Sequence, residues 1–101
     1  MAAANVTFHP GASDDYAAAY CWYYDRGPTL AANFESEVER GVRLISQNPS
    51  RWPRFDNRRR RFIVRKFPYS IIYEHHGEEV IILAVAHGKR RPNYWQKRSS
   101  T

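Results

Sequence analysis

The sequence predicts an α+β domain: an N-terminal strand and a helical hairpin packed on an antiparallel sheet of three to four further strands. Three observations predict it. The chain has 101 residues, enough for one modest core and no second domain, so residues 1–101 are read as one unit. Through the first half, apolar residues recur at steps of three and four. Beyond Asn48-Pro49 the period shortens to two and β-branched residues take over.

Asn5 to His9 reads as a short strand with Val6 and Phe8 on one face. Ser13 is suited to cap a helix, and Asp14 and Asp15 suit the positive end of its dipole. Tyr16, Tyr20 and Tyr24, interleaved with Ala17 and Cys21, carry the helical spacing until Gly27-Pro28 stops it. So short a break implies a tight helical hairpin. In the second helix Leu30, Phe34, Val38, Val42 and Ile45 form the apolar stripe, with Glu35, Glu37, Glu39, Arg40 and Arg43 between them. Its end is expected near Asn48-Pro49. Phe62 to Val64 lie in an arginine-rich strand, Ser70 to His75 in another, and Val80 to His87 in a third, with a turn at His76-Gly77. Val80 to Ala86 is apolar on both faces, as a central, covered strand requires. The tail from Lys97 to Thr101 is expected to fray.

Composition narrows the function classes. Hydrophobic residues make up 43% and aromatics 15%, too rich for a disordered chain. Sixteen Lys and Arg against ten Asp and Glu leave a charge of +6. That field favours nucleic acid, an acidic protein segment, or a nucleic-acid-handling machine, where it does not serve solubility alone. Cys21 is the only cysteine, which excludes an internal disulfide and a cysteine-rich metal cluster and fits a reducing compartment. The four histidines have no metal-site spacing, so neither metal nor cofactor is expected. No run approaches the roughly 20 apolar residues that span a bilayer, and no basic stretch leads into an apolar core as in a signal peptide. A soluble cytoplasmic protein without a membrane partner is the expectation.

Particular residues then carry a likeness. Phe67-Pro68-Tyr69-Ser70-Ile71-Ile72-Tyr73, Ile82-Leu83-Ala84-Val85-Ala86-His87 and Arg90-Arg91-Pro92-Asn93-Tyr94-Trp95 resemble the C-terminal half of RelE/ParE toxins of type II toxin–antitoxin systems. His9-Pro10, Tyr23-Tyr24, Phe34 and the Asn48-Pro49 stop fall where that family places them. The likeness covers nearly the whole chain and is closer to the ParE-like branch. It implies a toxin that poisons DNA gyrase without chemistry of its own and is neutralised by a cognate antitoxin. A homodimer or a toxin–antitoxin heterotetramer would suit it. The other branch, RelE-like, implies an endoribonuclease that cuts messenger RNA on the ribosome. Its strand arginine falls at Ser70 and one of its lysines at Ile63. A serine cannot supply a permanent charge to a developing phosphorane, and one missing cation costs on the order of 100- to 1,000-fold. Were the chain a ribonuclease, Arg61, Arg65, His87, Arg90 and Tyr94 would be its catalytic set.

For a binding protein, the expected target or antitoxin contacts are Arg58, Arg59, Arg60, Arg61 and Arg65, then Arg90, Arg91, Tyr94 and Trp95. Each has a plainer alternative. Arg58 to Arg61 suit a solvated edge that resists strand addition. Arg65 suits a surface ion pair. Tyr94 and Trp95 suit a cap folded back on the core. Phe67, Pro68, Tyr69, Ile71 and Tyr73 read as framework, as do Trp22 and Trp52-Pro53. His87 reads as a hydrogen-bonded structural histidine, and Cys21 as an inert buried thiol.

Overall fold

The computed structural model describes residues 3–91 and 93–98, so Pro92 and the last three residues of the expected tail lie outside the described residues. The chain runs β1 (Asn5–Phe8), α1 (Pro10–Arg26), α2 (Pro28–Gln47), β2 (Arg59–Ile63), β3 (Tyr69–His76) and β4 (Glu79–His87). The strands form one sheet in the order β1-β4-β3-β2. β2, β3 and β4 make the expected antiparallel meander. β1 joins its far edge parallel to β4, because the two helices and the β2–β3 hairpin intervene before the chain returns. The sheet is therefore mixed, and β4 lies between two strands as its unbroken apolar run requires. Among the described residues no helix is long and apolar enough to cross a membrane.

The first helix starts three residues before the expected cap. His9, in extended backbone, accepts the Gly11 amide on Nδ1 at 3.0 Å, and Pro10 opens the helix. Proline suits that position because the amide it lacks has no helical acceptor there. Ser13, Asp14 and Asp15 consequently sit inside α1. At the other end one residue joins the helices: the Gly27 amide donates back to Tyr23 and Tyr24, its carbonyl accepts from Ala31, and Pro28 begins α2.

Ala31, Phe34, Val38, Gly41 and Ile45 form the buried stripe of α2, while Leu30, expected in it, is partly exposed. Phe34 is ringed by Tyr16, Tyr23, Phe67 and Tyr69 at centroid distances of 5.0–5.8 Å. Gly41 lets the helix close on the sheet. A Cβ there would come within 2.8 Å of Phe62 and 3.0 Å of Ile71. Tyr73 is fully buried and donates its hydroxyl to the Pro49 carbonyl at 2.6 Å, and burial pushes its pKa up to about 12.

Two framework expectations fail on α1. Its buried positions are Ala12, Asp15, Ala19 and Tyr23, so the opposite side faces out. Cys21 is exposed, and Trp22 is 51% exposed with the Arg26 guanidinium 3.3 Å from its ring centroid. A helix with apolar residues on every side gives no sequence signal for which side is inward. Trp52 does pack, edge-on against Phe62 at 4.7 Å.

Candidate functional site: the open sheet face and its C-terminal wall

The helices cover one face of the sheet. On the other, β2 presents Arg59, Arg61 and Ile63, and β3 presents Ser70, Ile72 and Glu74 directly opposite them. The chain after β4 turns back over this face. Trp95, only 3% exposed, packs on Ile72 and Ala84 and meets Phe55 edge-on at 5.1 Å. Trp95 is thus an anchor of the fold. It fixes the segment that carries Arg90, Arg91 and Tyr94.

That segment is held from below by one carboxylate. Between Ile72 and Tyr73 the β3–β4 register shifts, leaving Leu83 as an extra residue on β4. β1 stops pairing at Ile82, so the edge groups of β4 beyond it need other partners. Asp15, on α1, accepts the Val85 amide at 3.1 Å. Arg98 donates to the Leu83 carbonyl at 2.9 Å and to Asp15 at 2.8 Å. Tyr94 donates to Asp15 at 2.9 Å, and Arg90 reaches it at 3.4 Å. Asp15 is 7% exposed, and a buried carboxylate is tolerated because donors surround it. The residue read from sequence as a helix-dipole partner is the hub of the C-terminal wall. Arg98, read as part of a fraying tail, is its strongest partner. A contact across more than 80 residues, as between Asp15 and Arg98, leaves no local pattern to read.

The wall and the sheet enclose a cleft of about 160 Å³. Arg61, Arg90 and Arg91 supply its charge, Phe55 and Tyr94 its aromatic surface, and Ser70 part of its lining. No Asp or Glu among the described residues lines it. The Arg90 guanidinium lies 3.7 Å from the Tyr94 ring centroid, a cation–π contact that fixes both side chains. Burial, then the Asp15 hydrogen bond, raises the Tyr94 phenol well above its ordinary pKa. His87 accepts the Lys89 amide on Nδ1 at 2.9 Å and stands edge-on to Tyr69 at 5.0 Å.

The other expected site arginines are dispersed. Arg59 is buried and tied to Asp56 at 3.0 Å, to the Gln96 carbonyl at 3.1 Å and, more loosely, to the buried Glu74 at 3.7 Å. Burial opposes ionisation of Asp56, but the amides of Arg58 and Arg59 and the Arg59 guanidinium outweigh it and hold the carboxyl below its usual range. Arg60 turns to the helix side and donates to the Trp52 carbonyl at 2.7 Å. Arg65 pairs with Glu37 at 3.1 Å and holds that carboxyl below its usual range. Arg58 stands exposed on the connection into β2, away from the cleft. Of the nine expected contact residues, the cleft gathers Arg61, Arg90, Arg91, Tyr94 and Trp95.

Comparison with known proteins gives a consistent result. Residues 6–92 match the family described as ParE toxin of type II toxin-antitoxin system, parDE. The chain is 30% identical over 86 residues to Toxin ParE2 of two Mycobacterium tuberculosis strains, CDC 1551 / Oshkosh and H37Rv. The match spans 84% of this chain and 82% of each of those proteins. Its fold superimposes on a chain of the chromosomal ParDE TA system from P. aeruginosa with a TM-score of 0.73 and 20% identity, covering 83% of this chain and 95% of that one.

Proposed function

The chain belongs to the ParE toxin family and is a ParE-type toxin of a type II toxin–antitoxin system, and from that premise we propose that it inhibits DNA gyrase by binding alone until its cognate antitoxin neutralises it. The observation that carries this reading is the chemistry of the cleft. Among the described residues it offers three guanidinium groups, aromatic surface and a single imidazole, that of His87, whose Nδ1 is already taken by the Lys89 amide. Tyr94, one of the residues a ribonuclease would use, has its own hydroxyl committed to Asp15 and its phenol held protonated. Ser70, which lines the cleft, falls in the sequence where the resemblance would put the ribonuclease branch's arginine. Such a surface can hold one state of a large complex in preference to another, which is all that a poison of a DNA-cleaving enzyme needs.

The direct test is supercoiling by purified gyrase with added toxin, scored also for linear DNA released from trapped cleavage complexes. The expected result is lost supercoiling and accumulated linear DNA, both reversed by antitoxin. Undiminished supercoiling at micromolar toxin, with transcripts cut on ribosomes instead, would overturn the reading.

A further inference from the structure

In the cleft between the open sheet face and the C-terminal wall, free positive charge and flat apolar surface stand side by side. We propose that this cleft takes an unpaired DNA strand, with its phosphates on Arg61, Arg90 and Arg91 and a base stacked on Phe55. The proposal rests on the reading of this chain as a poison of gyrase, and it assigns the cleft to the DNA of that complex and not to its protein.

Three observations carry it. First, the charge of the cleft is unopposed. Arg59, Arg65 and Arg98 are matched to Asp56, Glu37 and Asp15 at 2.8–3.1 Å. Among the described residues Arg61 and Arg91 meet no carboxylate. Arg90 reaches Asp15 only at 3.4 Å, and its side chain is 51% exposed. With no Asp or Glu among the described residues of the lining, these three cations attract an anion and nothing there repels it. Ser70 and Asn93 add uncharged hydrogen-bonding groups.

Second, all three cations are arginine, and rings stand beside them. The Arg90 guanidinium is stacked on Tyr94, and that of Arg61 lies 6.0 Å from the Phe55 centroid. Guanidinium groups bind phosphate oxygens in pairs while stacked on a ring. Phe55 is 43% exposed, yet the buried Trp95 holds it in place. An exposed ring held still is a platform for another ring, and every base has a face to lay on it. An acidic protein segment would use the arginines and leave Phe55 bare. A nucleotide uses both, because one sugar joins its phosphate to its base.

Third, the cleft is small. At about 160 Å³ it falls below the roughly 300–1,000 Å³ of pockets that enclose a whole small ligand, which suits one unit of a chain that continues beyond it. Bases inside a duplex are covered on both faces by their neighbours, so only an unpaired strand can offer one to Phe55. A strand held there keeps cut DNA from resealing, which favours the cleaved state of the complex.

The test is fluorescence anisotropy with the intact toxin and a short fluorescein-labelled oligodeoxythymidine, repeated over a salt series without gyrase. The single strand is expected to bind at least about 10-fold tighter than the same oligomer paired with oligodeoxyadenosine. Neutralising three phosphates should give log affinity a slope of about −2 against log salt, at about −0.7 per phosphate of a single strand. Arg61→Ala should make that slope shallower by about 0.7. Phe55→Leu keeps an apolar contact for Trp95 but has no flat ring, and should weaken binding at least about 5-fold at an unchanged slope. Arg58→Ala, away from the cleft, should change affinity less than about twofold. Circular dichroism and melting of each variant should match wild type.

A single strand that does not bind overturns the proposal, as does equal affinity for the duplex or wild-type affinity in Phe55→Leu. Equal losses from Arg58→Ala and Arg61→Ala overturn it as well, since binding would then follow net charge. Displacement by oligoglutamate as readily as by unlabelled DNA assigns the cleft to an acidic protein surface, and tighter binding of oligouridine assigns it to RNA; either result overturns it. A toxin that inhibits gyrase yet binds no strand leaves the gyrase reading in place without this inference. Strand binding at the cleft with gyrase unaffected supports the strand site and removes gyrase as the enzyme.

Discussion

At the scale of single residues, Asp15 separates local from long-range information. From sequence its neighbours Ser13 and Asp14 make it one of several acids near a helix start, and only the fold places three cationic or hydroxyl donors around it. Removing it leaves the buried Val85 amide and the Tyr94 hydroxyl without acceptors, and Arg98 without its carboxylate. Asp15→Ala should therefore cost about 3 kcal/mol, read as a fall in the urea midpoint with little change in slope. It should also free the C-terminal wall, so gyrase inhibition falls further than the population of folded protein does. A variant as stable as wild type would remove Asp15 from this role. Arg65 shows the opposite case. The surface ion pair anticipated as its plain alternative is what the structure contains, with Glu37, and Arg65→Ala should change stability by less than about 1 kcal/mol.

At the scale of elements, α2 was legible and α1 was not. The stripe through Phe34, Val38 and Ile45 has one apolar side, and period alone fixes which side goes in. α1 has tyrosine, tryptophan or alanine in every direction, so its inward face follows from what it meets, namely Phe34, Phe67 and β4. The bounds of β4 were equally plain, and its two covered faces follow from them. The parallel partner β1 was not, because strand direction depends on the path between strands. The approach of α2 to the sheet yields a sharp expectation. Alanine for glycine in a helix ordinarily gains about 1 kcal/mol. At Gly41 the added methyl would press on Phe62 and Ile71, and overpacking of that kind costs about 1–3 kcal/mol. Gly41→Ala should thus be neutral to destabilising in thermal melts. A gain in Tm of several degrees would mean that the helix–sheet gap is wider than the structure has it.

At the scale of the whole molecule, pH should act at the alkaline end. Burial raises Tyr16 and Tyr73 to about 12, and burial with Asp15 raises Tyr94 further. In the unfolded chain these phenols ionise near their ordinary value of about 10. Above that value the unfolded state binds fewer protons than the folded one, so stability is full below pH 10 and falls as pH rises toward 12. For Tyr73 alone the loss approaches about 2–3 kcal/mol across that window. Tyr73→Phe should flatten the decline between pH 10 and 12 while costing about 1 kcal/mol at pH 7 through the lost Pro49 hydrogen bond. An unchanged slope would mean that Tyr73 ionises while still folded.

The charge of the molecule was legible from composition, and its division was not. Sequence gathers Arg58 to Arg61 into one run, whereas alternation along β2 sends Arg60 to one face and Arg59 and Arg61 to the other. Glu74 then claims Arg59 and leaves Arg61 to the cleft with Arg90 and Arg91. The measurement that tests this division most directly is gyrase inhibition by Arg61→Ala/Arg91→Ala beside Arg58→Ala, each checked for unchanged melting. The cleft pair is expected to give at least a 10-fold weaker accumulation of linear DNA, and Arg58→Ala an effect under about twofold. Equal loss from both would make inhibition a matter of net charge and contradict the cleft as the site.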